Sequence, residues 1–335
     1  MVDPNKLKEI RTHKQSSIFF GVDRMPETSR LFCGSSDFKV YELDAKVEKA
    51  ESQAFTGEGH TSYVTTVSLT GSTLVSGSYD GHLAWWNTEK REFIRKVKAH
   101  DKWIRMIQIT PDGKTIVSVA DDMLIKLWNA ESGEKLNELV EHKPLTPNEY
   151  PSMLYAVTIS SDGKLMATAD KVGHIAVWDL AEAKKISELE APVMYTWDPR
   201  QRRHSIGGIR SLAFSKDSKL LAAGGIGKIG NIDHLGGPSR IEVFDWQAKK
   251  RVHEISDDKF KGLVEQIEFH PSGDWFVAAG GDHSGFISIY DAKTGKVIKQ
   301  AKAPMHVHGF SIIENWERIY GVGHNNVAVW TLADA

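Results

Sequence analysis

One passage is written several times along this chain, and a tandem repeat constrains a fold more tightly than any composition can. Residues 74–87, LVSGSYDGHLAWWN, return as IVSVADDMLIKLWN at 116–129 and as LMATADKVGHIAVWD at 165–179. Each copy is a β-rich run, a polar turn and a second β-rich run closing on Trp followed by Asn or Asp. Upstream lies a further strand, often ending in an Asp-Gly turn, as in IRMIQITPDGK (104–114) and YAVTISSDGK (155–164). Fainter copies close at Tyr41, Phe244, Tyr290 and Trp330, which makes seven, with closing aromatics forty to sixty-six residues apart. Apolar and polar residues alternate with frequent turn signals, and no helical period survives over a long window. The expected class is all-β, assembled from like units.

Composition narrows the function. The 335 residues are 41% hydrophobic, enough for a large core. A single Cys excludes a disulfide framework, a Cys-based zinc site and a Cys-x-x-Cys-His haem attachment. A net charge of −2 supplies no electrostatic reason for a dedicated nucleic-acid binder. No apolar run reaches the roughly 18 residues of a membrane span, and MVDPNKLKEIRTHKQ has no apolar core of a secretory signal. A soluble cytoplasmic protein without membrane contact is the expectation.

These repeats resemble the WD-repeat family, whose members fold as β-propellers of four-stranded blades. The family pattern opens each repeat with a His, and His60, His100 and His142 stand where it belongs, before YVTTVSL, WIRMIQI and MLYAVTI. The resemblance implies one seven-bladed, antiparallel propeller domain over 1–335, with blades near 14–59, 60–99, 100–141, 142–190, 191–256, 257–303 and 304–335. KLKEIRTH (6–13) resembles the outer strands EFIRKVKAH and EKLNELVEH, while the last repeat supplies three strands. The N-terminal strand is therefore expected to complete the last blade and close the ring, removing exposed sheet edges.

By the same resemblance, His60, Ser76, Asp80 and Trp86 form a buried hydrogen-bonded tetrad, and His100, Ser118, Asp122 and Trp128 a second. Indole only donates, carboxylate only accepts, and hydroxyl and neutral imidazole do both, so the set can be satisfied as a chain. A hydrolase triad uses similar groups, but recurrence at the repeat spacing favours a structural role. The fourth repeat keeps His142, Thr168 and Trp178 and places Val172 where the Asp is expected.

Ile104-x-x-Ile107-x-Ile109 and Val64-x-x-Val67-x-Leu69 break strict alternation by one residue, which reads as a β-bulge near the strand start. In the family this region lines the upper face and the central channel. Tyr63, Trp103, Met153 and His306 fall at one equivalent position there, and Thr65, Arg105, Tyr155, Arg210, Glu265 and His308 at another. They are candidate partner contacts or simply channel lining.

Three segments exceed the repeat: 142–152, 191–208 and 224–240. Loops between blades and loops between second and third strands emerge on one face, so all three should crowd that face over blades 4 and 5. The middle one carries Met194, Tyr195 and Trp197 beside Arg200, Arg202, Arg203 and His204, a composition suited to a protein partner, to plugging the loop onto the propeller, or to stacking on single-stranded nucleic acid. Gly225-x-Gly227-x-x-Gly230 fits a dinucleotide fingerprint only superficially, since no helix or βαβ unit follows.

Fourteen His are the feature most open to metal chemistry. His306-x-His308 on a strand projects both rings to one side, and His204, His234, Asp233 and His283 are further candidates on that face. Zinc accepts such ligands, although the spacing is not diagnostic. GxxxxGK[ST], HExxH and GxSxG are absent. The expected function is a non-catalytic scaffold, without cofactor, binding a protein or peptide on the insertion-bearing face, as a monomeric propeller or within a larger assembly. The alternatives are a metal-dependent or histidine-assisted enzyme at the channel mouth, and a nucleic-acid-associated module.

Overall fold

The structure, a computed structural model, describes residues 2–199, 204–230 and 235–334, with the side chain of His204 outside that description. Seven four-stranded antiparallel sheets are arranged as the blades of a propeller. Their innermost strands are Phe19–Arg24, Val64–Thr70, Ile104–Ile109, Leu154–Ile159, Ile209–Phe214, Leu263–Phe269 and Val307–Ile312, for blades 1 to 7 in order. No helix among the described residues is long and apolar enough to cross a membrane.

A blade is apolar on both faces, so it must be covered on both, and the ring supplies a neighbour for each. The core is accordingly a set of seams rather than one centre. One apolar cluster joins Val75, Leu83 and Trp85 of blade 2 to Ile104, Ile116 and Trp128 of blade 3. Others fill each remaining junction, including Phe19 and Leu31 of blade 1 against Tyr320 and Val322 of blade 7. Outer strands face water and alternate or lose the apolar pattern, as Lys135–Val140 does.

The Asp-Gly signals make the turns between first and second strands. The Thr110 hydroxyl donates to Asp112 (2.6 Å), Asp112 accepts the Lys114 N–H (3.1 Å), and Gly113 takes φ +73°. Glycine supplies that left-handed residue without steric cost.

Closure is made by the strand Lys8–Lys14, which pairs antiparallel with Asn326–Thr331 from Lys8↔Thr331 to Lys14↔Asn326. Leu7, just before it, is buried in the seam between blades 6 and 7.

The expected bulge is present in all seven inner strands. The register slips between Phe19/Gly21, Val64/Thr66, Ile104/Met106, Leu154/Ala156, Ile209/Ser211, Val264/Gln266 and Val307/Gly309. Each slip leaves one unpaired residue in its strand. Those residues are Phe20, Thr65, Arg105, Tyr155, Arg210, Glu265 and His308, and all seven line the central cavity of about 780 Å³.

Candidate functional site

The tetrads are formed. In blade 2, His60 Nδ1 lies 3.1 Å from Asp80, Nε2 lies 2.7 Å from the Ser76 hydroxyl, and the Trp86 indole donates to Ser76 at 2.8 Å. The partners fix the tautomer. Asp80 only accepts, so Nδ1 carries the proton, and the serine hydrogen goes to Nε2. In blade 3 His100 binds Asp122 (3.0 Å) and Ser118 (2.7 Å), and Trp128 donates to Ser118 (2.9 Å). Burial pushes the His100 pKa down. For Asp80 burial acts upward, and the hydrogen bonds from His60, Thr61 and His82 overcome it and hold the carboxyl low. Ser76 and Ser118 are fully buried, so no substrate carbonyl reaches either hydroxyl, and the sets hold loops to sheets.

Blade 4 departs from expectation. Val172 does not leave a gap, because Asp170, two residues earlier, supplies the carboxylate: His142 Nδ1 lies 2.9 Å from Asp170 and Nε2 2.8 Å from Thr168, to which Trp178 donates at 3.1 Å. Asp170 also accepts the N–H groups of Val172 and His174 (3.0 Å each), as Asp80 accepts that of His82. The network is complete with the carboxylate entering from a different backbone position.

Above the bulge ring a second tier joins blades 2 to 5. Arg105 makes a two-point ion pair with Asp121 (2.7 and 2.6 Å) and reaches the Tyr79 hydroxyl (2.5 Å). Tyr79 stacks on Trp103 with ring centroids 4.4 Å apart. The Arg210 guanidinium lies 3.5 Å from the Tyr155 ring centroid. Gly208 makes room for that stack, since a Cβ there would lie 2.8 Å from the Tyr155 ring and 2.9 Å from the Lys171 backbone. Burial, then the Arg210 charge, lower the Lys171 pKa. Among the described residues neither Arg210 nor Lys171 has an ion-pair partner. Phe38, Tyr63 and Trp103 extend this tier outward as an exposed aromatic arc, Tyr63 being 43% and Trp103 47% accessible.

Tyr79, Asp121, Lys171 and His324 were not singled out from the sequence, yet they share a signature. Each is the first residue after a second strand, and its N–H donates to the carbonyl of the residue two before the bulge: Tyr63, Trp103, Met153 and His306 respectively (2.9–3.2 Å). Aligning the repeats on that position finds the whole tier.

The insertions meet as the topology requires. Residues Tyr195–Asp198 and His204–Gly207 form a hairpin. Its Trp197 packs on Tyr150 of the 142–152 segment, with centroids 5.0 Å apart, and the Tyr195 hydroxyl donates to Asn148 (2.9 Å). The Ile229 N–H of the third insertion donates to Thr196 (3.1 Å), and Ile226, Ile229 and Leu263 form a small apolar cluster beneath. The plugging residue is Met194, fully buried, while Tyr195 and Trp197 stay half-buried. Gly225 serves close approach, not flexibility, because a Cβ there would meet the Gly208 carbonyl at 2.5 Å. Arg202, Arg203, His234 and the His204 side chain lie outside the described residues. His283 is exposed beside Asp282.

Across the mouth, at blades 6 and 7, Glu265 lies 3.1 Å from His306 Nε2 and 3.9 Å from His308 Nδ1. Burial acts to raise the Glu265 carboxyl, but the hydrogen bond from His306, with His308 and Arg210 nearby, holds it at about 2. Burial, then the neighbouring His306, depress His308 to about 3.

A profile described as "WD domain, G-beta repeat" matches residues 51–87, 91–129 and 199–228. The chain is 25% identical over 258 residues to telomerase protein component 1 of Mus musculus, covering 77% of this chain and 8% of that one. It is 24% identical over 214 residues to eukaryotic translation initiation factor 3 subunit I of Candida albicans (62% and 53%). It is 29% identical over 200 residues to apoptotic protease-activating factor 1 of Rattus norvegicus (59% and 15%). It therefore spans less than two thirds of the length of each of these relatives. The repeat matches, the seven four-stranded blades and the three tetrads together make this chain a seven-bladed β-propeller that carries WD repeats.

Proposed function

We propose that this chain is a non-catalytic interaction scaffold that takes a protein or peptide partner on its upper face, between the aromatic arc of blades 1 to 3 and the insertions over blades 4 and 5. The observation that carries this reading is the exposed arc Phe38–Tyr63–Trp103 running into an arginine stack that is only partly neutralised. Aromatic and Arg side chains are the usual anchors of protein interfaces. An apolar partner side chain seats on Trp103 and Tyr63, and a partner carboxylate stands opposite Arg210 and Lys171, whose burial without an anion is costly. Leu145 and Val193, both exposed on the insertions, and the Trp197–Tyr150 pair form the rim. One relative is named as a component of telomerase and another as part of a translation initiation factor, which supports a place for this chain in an assembly.

The test is affinity capture from a cell extract with the intact protein, Trp103→Ala, Arg210→Ala and a form whose 193–204 segment is replaced by a Gly-Ser linker. Each variant is first checked for an unchanged melting temperature. A partner held by the intact protein and weakened by about 2 kcal/mol or more with Trp103→Ala fits a hot-spot contact. A partner retained equally by all four forms places the interface elsewhere.

A further inference from the structure

We infer that the channel mouth at blades 6 and 7 is a binding site for one divalent transition-metal ion, zinc being the best match, held by His306, His308 and His324 with Glu265 at the fourth position. The site is independent of the partner reading, because it uses none of the aromatic arc, the arginine stack or the insertions.

Three imidazoles are gathered here by separate local devices. His306 stands just before the inner strand and His308 is its bulged residue, and their rings stack on one side of the chain. His324 comes from the turn between the second and third strands of the same blade. Gly323 allows that turn to settle onto the inner strand, since a Cβ there would lie 1.8 Å from the His306 carbonyl, and the His324 N–H donates to that carbonyl at 3.2 Å. The three rings have centroids 4.3, 5.2 and 5.0 Å apart, and one ligand nitrogen from each lies within 4.8 Å of the others. Tetrahedral zinc with Zn–N near 2.0–2.1 Å sets its ligands about 3.3 Å apart. His324 is exposed, so a modest rotation of its ring closes the set.

Two unsatisfied features point the same way. His308 Nε2 is buried with no hydrogen-bond partner, and a buried polar atom left alone calls for an explanation. His306, 6% exposed, has both nitrogens on groups that only accept, the Asp282 carbonyl (3.1 Å) and the Glu265 carboxylate (3.1 Å). A neutral ring would aim a lone pair at one of those oxygens. Either a second ring proton or a cation between Nε2 and Glu265 removes the mismatch. Three nitrogens and one carboxylate form a borderline donor set, which suits zinc and its neighbours, whereas magnesium and calcium take oxygen ligands. A second group among the described residues, Glu141, His174 and Glu188, lacks this character, because the Lys185 ammonium already sits 2.5 Å from Glu141 and 2.9 Å from Glu188. Bound metal would tie the inner strand of blade 6 to blade 7, the blade completed by Lys8–Lys14.

The experiment titrates metal-stripped full-length protein with Zn²⁺ against a chromophoric chelator, and repeats it with Co²⁺ to read the coordination geometry from its visible spectrum. One equivalent of zinc, a tetrahedral cobalt spectrum and at least about tenfold weaker binding in His324→Ala and in His308→Ala are expected. His253→Ala, on the outer strand of blade 5, leaves affinity unchanged. Zinc raises the melting temperature of the intact protein and not that of His324→Ala. Because His324 is exposed, its variant remains a valid test if His308→Ala fails to fold. Binding of less than one equivalent, or equal affinity in His324→Ala and the intact protein, overturns the assignment.

Discussion

Blades 2 to 4 and blade 5 solve one packing problem with different chemistry. In blade 2 the serine of the tetrad, Ser76, lies directly across from Ala84. In blade 5 the corresponding pair is Ala223 and Glu242. The small residue has changed strands, and the polar one is now a carboxylate. Glu242 is fully buried, with Arg240 on one oxygen (3.0 and 2.8 Å) and Arg251 at 2.7 Å from the other. Arg240 also reaches Glu254 (2.7 Å). A hydrogen-bonded tetrad pins the incoming loop to the sheet. The ionic cluster instead pins the third strand to the outer strand, and the incoming loop is held by the buried Met194 rather than by a tetrad. The loop entering blade 5 is the long 191–208 excursion, whereas His60 and His100 stand only three residues before Tyr63 and Trp103. Blade 4 keeps its histidine anchor although His142 stands eleven residues before Met153, so an anchor and an insertion coexist there, and among these four blades the loss is peculiar to the longer loop of blade 5.

That contrast breaks most visibly at the ring closure. Removing residues 1–14 strips the outer strand from blade 7 and exposes the edge of Asn326–Thr331. The truncated protein should melt at a lower temperature and aggregate. Hydrogen exchange should quicken first in blades 7 and 1 and last in blades 2 to 4, where tetrads hold. Uniform acceleration around the ring would show that the tetrads confer no local advantage.

Next in size is Glu242→Ala, which removes the buried anion and leaves Arg240 and Arg251 with only the exposed Glu254 carboxylate. A loss of about 3–5 kcal/mol is expected for breaking a buried charge cluster on one side. The paired change Arg240→Met with Glu242→Leu should recover much of it, as read by denaturant unfolding. If the single and paired variants are equally unstable, the cluster has a role that apolar packing cannot replace.

Asp122→Ala and Asp170→Ala should each cost roughly 1–3 kcal/mol, the range for a buried hydrogen-bond partner left unsatisfied. Equal costs would show that a carboxylate two residues out of register does the same work. Val172→Ala should cost less than about 1 kcal/mol, because only partly buried methyl groups are lost.

The smallest effect is on pH. Folded His100 has a pKa below the ordinary imidazole value of about 6.5. Folded Asp80 and Asp122 lie below the ordinary carboxylate value of about 3.9. In each case the unfolded chain binds the proton more readily. Stability is therefore full above about pH 6.5, begins to fall below it through His100, and falls further below about pH 3.9 as the carboxylates protonate. Melting temperatures measured from pH 7 to 3 should follow that course, with a shallower acid limb in Asp122→Ala.

Much of this molecule was legible in the residue pattern because its signals are local. An aromatic residue closing each hairpin, an Asp-Gly turn and an Ile-x-x-Ile-x-Ile slip each act over a few residues, so blades, turns and bulges could be placed without knowing their neighbours. Asp170 escaped because its role depends on the reach of a side chain, and position-by-position alignment of repeats compares only backbone places. Glu242 escaped because its burial is set by Arg240 and Arg251 in strands where the repeat is worn. His324 escaped because the last repeat is worn, although it holds the place after the second strand that Tyr79, Asp121 and Lys171 hold in theirs. The hairpin at 195–207 was hidden because its alternation spans four residues on each arm, too few to stand out.

The pairing of Lys8–Lys14 with Asn326–Thr331 also sets a timetable. The first strand leaves the ribosome about three hundred residues before its partner exists. At about 5–20 residues per second it waits for tens of seconds as an unpaired edge. During that wait it is guarded by Lys8, Glu9, Arg11 and Lys14, whose charges resist pairing with a wrong strand. Asn326–Thr331 therefore acts as the latch, and a translation product interrupted before it cannot close the ring.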